Sequence, residues 1–327
     1  MTSVPQQQLG RTADRLIAAR TPFAIVALPG EEAVLYGADD GCVAFIPWAS
    51  PYAARLTLAT ARKAPAPWTE STPEAHYRRA VADIVAAHTP ESGKTVLSRA
   101  ICRSAGTEFS WGAAAAELFG RFPDTFRYIV WSEATGGWMG ATPELLARID
   151  GRRLDTMALA GTRAADCPGW DTKNCREHAM VTAFIAETLR AAGAEVSTGV
   201  TGTLPYGAIS HMHTPVAARL APGTDVEALL DSLSPTPAVA GLPRDEAVER
   251  IGRLERHKRR LYAGYIELRR GACRYCYVNL RCLNFDPADG AVCIYAGGGV
   301  TALSDAGAEW TEAERKARPL NELFDHL

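Results

Sequence analysis

The chain has 327 residues, 47% hydrophobic and 22% charged, an ordinary globular composition with material for one large core. Its net charge of -2 gives no electrostatic case for nucleic acid or an anionic membrane as partner, and no apolar run is long enough to predict a membrane span. The opening MTSVPQQQLGRTADRL lacks the basic-then-apolar order of a signal peptide, so a cytoplasmic location is expected.

In chain order, a short helix is predicted over 12–19, with strands at 23–28 and 42–47. Residues 61–73, ARKAPAPWTESTP, read as a linker that ends in a helix start signal with a capping box. The helix that follows, 74–88, places Tyr77, Val81, Ile84 and Val85 on one face. Lys94 enters a strand in which Lys94, Val96 and Ser98 share a side. Next come a helix over 109–122, a strand over 126–132, and a hairpin over Gly151 that returns to Gly161-Thr162-Arg163.

The longest predicted helix, 171–192, is capped by Asp171 or Thr172 and buries Val181, Phe184, Ile185 and Leu189. Asp225 or Thr224 caps a helix to Leu233. Residues 234–243 carry too many prolines for regular structure. A charged helix over 244–260 then reads as a solvated face. Hairpin strands containing Arg281 and residues 292–295 precede a C-terminal helix. Strands that cluster and alternate with long helices predict a mixed α/β fold with at least partly antiparallel sheets. Cys273 and Cys276 form a CxxC, but Cys282 and Cys293 supply no second pair at zinc spacing, so reduced, packed thiols are expected.

Chemistry concentrates near the C-terminus. A short strand runs into Gly297, Gly298 and Gly299, where φ > 0 would let backbone N–H groups face an anion. Glu309 and Glu312, at i and i+3, share a helix face with Lys316, and paired glutamate oxygens suit Mg2+. A turn followed by a solvated helix accounts for the same residues. Glu177 lies on the apolar face of its helix and needs a partner, either a metal or a salt bridge. A lysine entering a strand, as Lys94 does, is either a solvated end residue or an enclosed base.

Nine segments occur in one order: KTVLSR from Lys94, ATPELL from Ala141, MALAGTR from Met157, REH from Arg176, HMHTPV from His211, LSPTPAVAGLP from Leu233, ERHKRRLYAG from Glu255, VNLRC from Val278, and YAGGGV with the following SD and EWTEAERK. The ordered set, over roughly 75–320, resembles the chorismate-utilising enzymes: isochorismate synthase, salicylate synthase, and the component I chains of anthranilate and aminodeoxychorismate synthase. The resemblance implies one α/β domain of two layered antiparallel sheets flanked by helices. In it, 1–70 form a short N-terminal part of the scaffold and 71–327 the chorismate-binding catalytic region.

The same resemblance implies a Mg2+ site at Glu177 and Glu312, with Glu309 nearby. Lys94 matches the lysine that activates water, Glu144 the acid that protonates the leaving C4 hydroxyl, and His211 a histidine near the reacting ring. Gly161 and Thr162 match contacts to the ring carboxylate. Tyr262, Arg281 and Gly297 to Gly299 match contacts to the enolpyruvyl carboxylate, and Lys316 a lysine after the metal glutamates. Moving a hydroxyl from C4 to C2 needs a base and an acid on separate groups, which Lys94 and Glu144 supply.

Three positions choose among the members. Lys94 favours water over ammonia, so no glutaminase subunit is expected. Ala160 replaces the nucleophilic lysine of aminodeoxychorismate synthases. Ala238 resembles isochorismate synthases, where salicylate synthases tend to carry threonine. The expectation is a monomeric, Mg2+-dependent isochorismate synthase serving siderophore or menaquinone synthesis. Salicylate synthase, an amino-transferring enzyme and a non-enzymatic binding member of the family are the alternatives. Ser234 departs from the histidine usual in enterobactin-type members.

Overall fold

Alternate residues of one strand serve two different cores. Phe23, Ile25 and Ala27 pack on one side of their sheet, and Ala24 and Val26 on the other. A computed structural model describes residues 2–89, 93–167, 169–207 and 209–325. Among them the strands form two nine-stranded antiparallel sheets.

The first sheet runs, edge to edge, β1 (Thr2–Val4), β3 (Ala33–Gly37), β2 (Phe23–Ala27), β7 (Phe126–Ser132), β8 (Gly136–Thr142), β17 (Cys282–Phe285), β18 (Ala291–Val300), β6 (Lys94–Ser104) and β14 (Gly241–Leu242). The second runs β11 (Glu195–Thr198), β13 (Ile209–Arg219), β10 (Arg153–Ala164), β9 (Leu145–Asp150), β16 (Cys273–Val278), β15 (Tyr265–Arg270), β4 (Val43–Ile46) and β5 (Leu56–Thr57), with β12 (Gly202–Tyr206) also on β13. The expected layering is present. The largest apolar cluster joins inward residues of both sheets, and Phe126 of β7 stacks on Tyr277 of β16 with ring centroids 4.5 Å apart.

Helices α1 (Gln6–Ala18), α3 (Trp111–Arg121) and α7 (Ala306–Asn321) cover the outer face of the first sheet through Leu9, Ala13, Leu118, Phe119, Ala313 and Leu320. Helix α4 (Thr172–Ala191) inserts Val181, Ile185 and Leu189 into the central cluster, as the periodicity predicts, and Asp171 caps it by accepting from Asn174 N at 2.7 Å. Helices α2 (Glu74–Ala87) and α6 (Arg244–Leu254) flank β6, and α5 (Val226–Leu233) is capped by Asp225.

Several expectations need correction. Helix α1 starts at Gln6 rather than at 12, because the Leu9, Ala13, Ile17 stripe extends through a polar glutamine run. Ser71 and Thr72 form no capping box. Their hydroxyls accept from Cys102 N and Ala100 N, so the presumed linker lies along β6. Helix α6 stops at Leu254, and the basic run beyond it is only in part a solvated face: Arg256 and Lys258 are exposed, but His257 and Arg259 are buried. Within 234–243, Gly241 and Leu242 pair with Thr95 and Lys94. Gly297 to Gly299 form no positive-φ turn. They lie within β18, paired with Ser98, Leu97 and Val96. Arg281 precedes β17 rather than lying in a strand, at φ 50.

Candidate active site

The centre of the first sheet, β10 and β13 of the second, the start of α4, α7 and the loop before α6 surround an open pocket. It is lined by Glu144, Gly161, Thr162, Glu177, His211, Ala238, Tyr262, Arg281, Gly297, Gly298, Gly299 and Lys316. These are twelve of the fifteen residues singled out from the sequence. Lys94, Glu309 and Glu312 sit one layer back, each in contact with a lining residue. Val96, Leu159, Leu280 and Tyr295, which lie in the quoted segments without having been singled out, add apolar wall. Ser234 lies outside the lining, which Ala238 and Val239 of the same loop do reach.

The glycines of β18 are explained by crowding. A Cβ at Gly299 would lie 2.2 Å from Glu177 Oε1, and one at Gly298 would lie 3.0 Å from Glu309 Oε2 and 3.2 Å from Glu312 Oε1. The absent side chains let carboxylates from α4 and α7 converge on the strand's backbone.

Each of these carboxylates is held by its own lysine. Lys94, with no exposed surface, donates to Glu177 Oε1 at 2.8 Å. Lys173 donates to Glu309 Oε1 at 2.7 Å, and Lys316 reaches Glu312 at 2.6 Å and Gly297 O at 2.9 Å. Burial alone would raise Glu177, but the charges of Lys94 and Lys173 outweigh it and hold the group below the usual carboxylate range. Burial raises Glu309, and the neighbouring Glu312 charge adds to that rise against the pull of Lys173. Burial likewise opposes ionisation of Glu312, yet Lys316 and Lys173 keep it low.

With every carboxylate turned onto a lysine, no three acidic, histidine or cysteine side chains among the described residues enclose a metal as they stand. The donor set nevertheless fits a hard divalent cation. Three glutamates converge, and Glu309 Oε2 is buried without a hydrogen-bond partner beside Gly298. Lys173 was missed from the sequence. Its position four residues before Glu177 on one helix face was the available signal.

Glu144 comes from the turn between β8 and β9. Burial pushes its carboxyl up to about 7, against the lowering effect of Lys94 and of the Thr236 hydroxyl, whose Oγ1 donates at 3.4 Å. Thus a buried acid that can carry a proton near neutrality faces the pocket.

His211 Nε2 lies 2.9 Å from Arg281 Nη2, and its Nδ1 lies 3.1 Å from Gly161 O. A guanidinium only donates and a carbonyl only accepts, so the ring is the neutral Nδ1–H tautomer. Burial, with the charges of Arg281 and Lys316, holds its pKa well below the ordinary histidine value. Both ring nitrogens are thereby engaged, and the ring orients Arg281. Gly161, at φ 77, forms a bulge in β10 between Ala160 and Thr162. Asn174 Oδ1 accepts from Thr162 N at 2.9 Å, which fixes that bulge to the start of α4.

Beneath the pocket, the basic run after α6 forms a buried knot. Arg259 donates to Val96 O and Val239 O, both at 2.7 Å, and to Glu255 at 2.6 and 2.9 Å. Glu255 also accepts from Ser98 N and Ser98 Oγ at 2.7 Å. The pocket walls from β6 and from the loop before α6 are thus tied to one guanidinium.

A family model described as chorismate binding enzyme matches residues 53–325. Isochorismate synthase MenF of Pasteurella multocida is 31% identical over 200 residues, covering 57% of this chain and 46% of that protein. Isochorismate synthase EntC of Escherichia coli is 28% identical over 253 residues, covering 72% of this chain and 63% of that protein. The chain therefore spans about half to two thirds of the length of these relatives. A solved structure of MenF, the menaquinone-specific isochorismate synthase from Escherichia coli, superposes with a TM-score of 0.77 at 22% identity, covering 94% of this chain and 90% of that one. At that identity the likeness concerns the fold.

Proposed function

The chain belongs to the chorismate-binding enzymes, and on that premise we propose that it isomerises chorismate to isochorismate, adding water at C2 and expelling the C4 hydroxyl. The observation that carries the reading is Glu144, a buried carboxyl pushed up to about 7 in a pocket that also offers Arg281, Lys316 and Thr162 to carboxylates. The names of the relatives, isochorismate synthases at 28–31% identity, support the same reaction.

Chorismate is a dianion, and the site meets it with matched donors. Arg281, aimed by His211, and Lys316, braced on Gly297 O, place two cations in the wall. The bulge at Gly161 and Thr162 adds a backbone turn and a hydroxyl. Leu159, Leu280 and Tyr295 shield the ring from bulk water.

Lys94, as the free amine, takes a proton from the attacking water, so its pair with Glu177 must part in the reacting state. Oxygen bonds to C2, both conjugated ring double bonds shift, C1=C2 to C1=C6 and C5=C6 to C4=C5, and the C4–oxygen bond breaks. Glu144 gives its proton to the departing hydroxyl, which leaves as water. One proton has moved from Glu144 to Lys94 overall, and its return through solvent resets the site. Glu177 and Glu312, with Glu309 beside them, would hold Mg2+, which supplies positive charge to a substrate carboxylate. Because water is the nucleophile, the reaction needs no ammonia-supplying subunit.

Product analysis of the purified protein with chorismate and Mg2+, with and without ammonium, tests this. Isochorismate as main product, independent of ammonium and lost in Lys94→Ala, is expected. Salicylate with pyruvate, an amino product, or turnover untouched by Lys94→Ala would overturn the assignment.

A further inference from the structure

Lys173 stands on the second residue of α4, where the positive end of the helix dipole disfavours a cation. Its ammonium is nevertheless turned inward onto Glu309 Oε1, which also accepts from Ser304 Oγ at 2.7 Å. The other oxygen of that carboxylate, Oε2, is buried without a partner and faces Gly298 beside Glu312 Oε1. A divalent ion that took this free oxygen would set two like charges on one carboxylate, and each would weaken the other's hold. Of the three lysines, Lys173 has the most exposed side chain. Its side chain is 17% exposed, whereas Lys94 has no exposed surface and Lys316 is also tied to Gly297 O.

We propose that Lys173 is a tethered cation that competes with Mg2+ for the Glu309 carboxylate and so sets the metal affinity of the site. The proposal rests on the metal reading given above and concerns a residue outside the acid–base pair. Its benefit to the fold is that three converging glutamates are neutralised whether or not a metal is bound. Its cost is weaker metal binding than the same glutamates would show without it.

The test is calorimetric titration of Mg2+ into chelator-treated protein without chorismate, together with melting curves in chelator and in excess Mg2+. Lys173→Met should bind Mg2+ about tenfold more tightly than the unmodified chain, an ordinary coupling between neighbouring sites. Lys173→Arg, which keeps the charge, should stay near the unmodified affinity. Lys173→Met should melt lower in chelator, with the gap closing in Mg2+. In a Glu309→Gln background the gain from Lys173→Met should vanish. Normal Mg2+ binding by the unmodified chain with no gain in Lys173→Met overturns the competition and leaves the metal reading standing. No Mg2+ binding by either protein overturns both.

Discussion

Replacing Gly299 by alanine probes how closely the backbone of β18 and the Glu177 carboxylate share space. The new Cβ would sit 2.2 Å from Glu177 Oε1 and 2.8 Å from its Cδ, where unstrained carbon contacts lie at about 3.5–4.0 Å. The carboxylate has to retreat by roughly 1 Å. It is not free to do so, because it is buried and the same Oε1 holds the 2.8 Å bond from Lys94. Losing a charge-assisted bond costs about 1.5–3 kcal/mol, and leaving the buried charges apart raises that to about 3–5 kcal/mol. A displacement of about 1 Å at a reacting centre costs on the order of a hundredfold in rate.

Gly299→Ala is therefore expected to fold, to melt several degrees lower, and to lose on the order of a hundredfold in turnover. Melting curves and a chorismate-consumption assay read both. Gly252→Ala is the control. It lies in α6 with nothing within 4 Å of the added carbon, and should be neutral or stabilising by up to about 1 kcal/mol. Wild-type turnover and melting in Gly299→Ala would refute the packing argument.

Glu144→Gln should lower turnover by about 10² to 10⁴-fold. The reaction needs the protonated acid, which is present below its pKa of about 7 and lost as pH rises through it. The unmodified chain should thus lose kcat/KM on the alkaline side near 7, and Glu144→Gln should lack that limb. His211→Phe removes the acceptor that aims Arg281. It should raise KM for chorismate about tenfold with a smaller effect on kcat, and an unchanged KM would place Arg281 outside substrate binding.

Helix faces and motif spacing made much of the site legible. Glu177 could be assigned to the apolar side of α4, and Glu309, Glu312 and Lys316 to one face of α7, because helical periodicity is local. What the sequence could not convey was pairing across distance. Three consecutive glycines look like a turn, and only their register against Ser98, Leu97 and Val96 makes them a strand stripped of side chains for the carboxylates of other elements. Ser71 and Thr72 carry the residue types of a helix cap, yet the backbone of β6 claims their hydroxyls.

The basic run after α6 departs from a solvated face at His257 and Arg259 for a related reason. Glu255 and Arg259 at i,i+4 look like an exposed helix pair, but Ser98, Val96 and Val239 supply buried partners from other parts of the chain. His211 was legible as a site residue, though its tautomer and its hold on Arg281 were not, because both depend on contacts with Gly161 and Arg281 far away in sequence.

The most direct test of the account is turnover of chorismate with Mg2+ in water enriched in oxygen-18, read by mass spectrometry of the product. Isochorismate carrying one solvent oxygen at its C2 hydroxyl is the expected product. Unlabelled isochorismate would contradict water as nucleophile, and with it the assignment of Lys94 and Glu144 as base and acid.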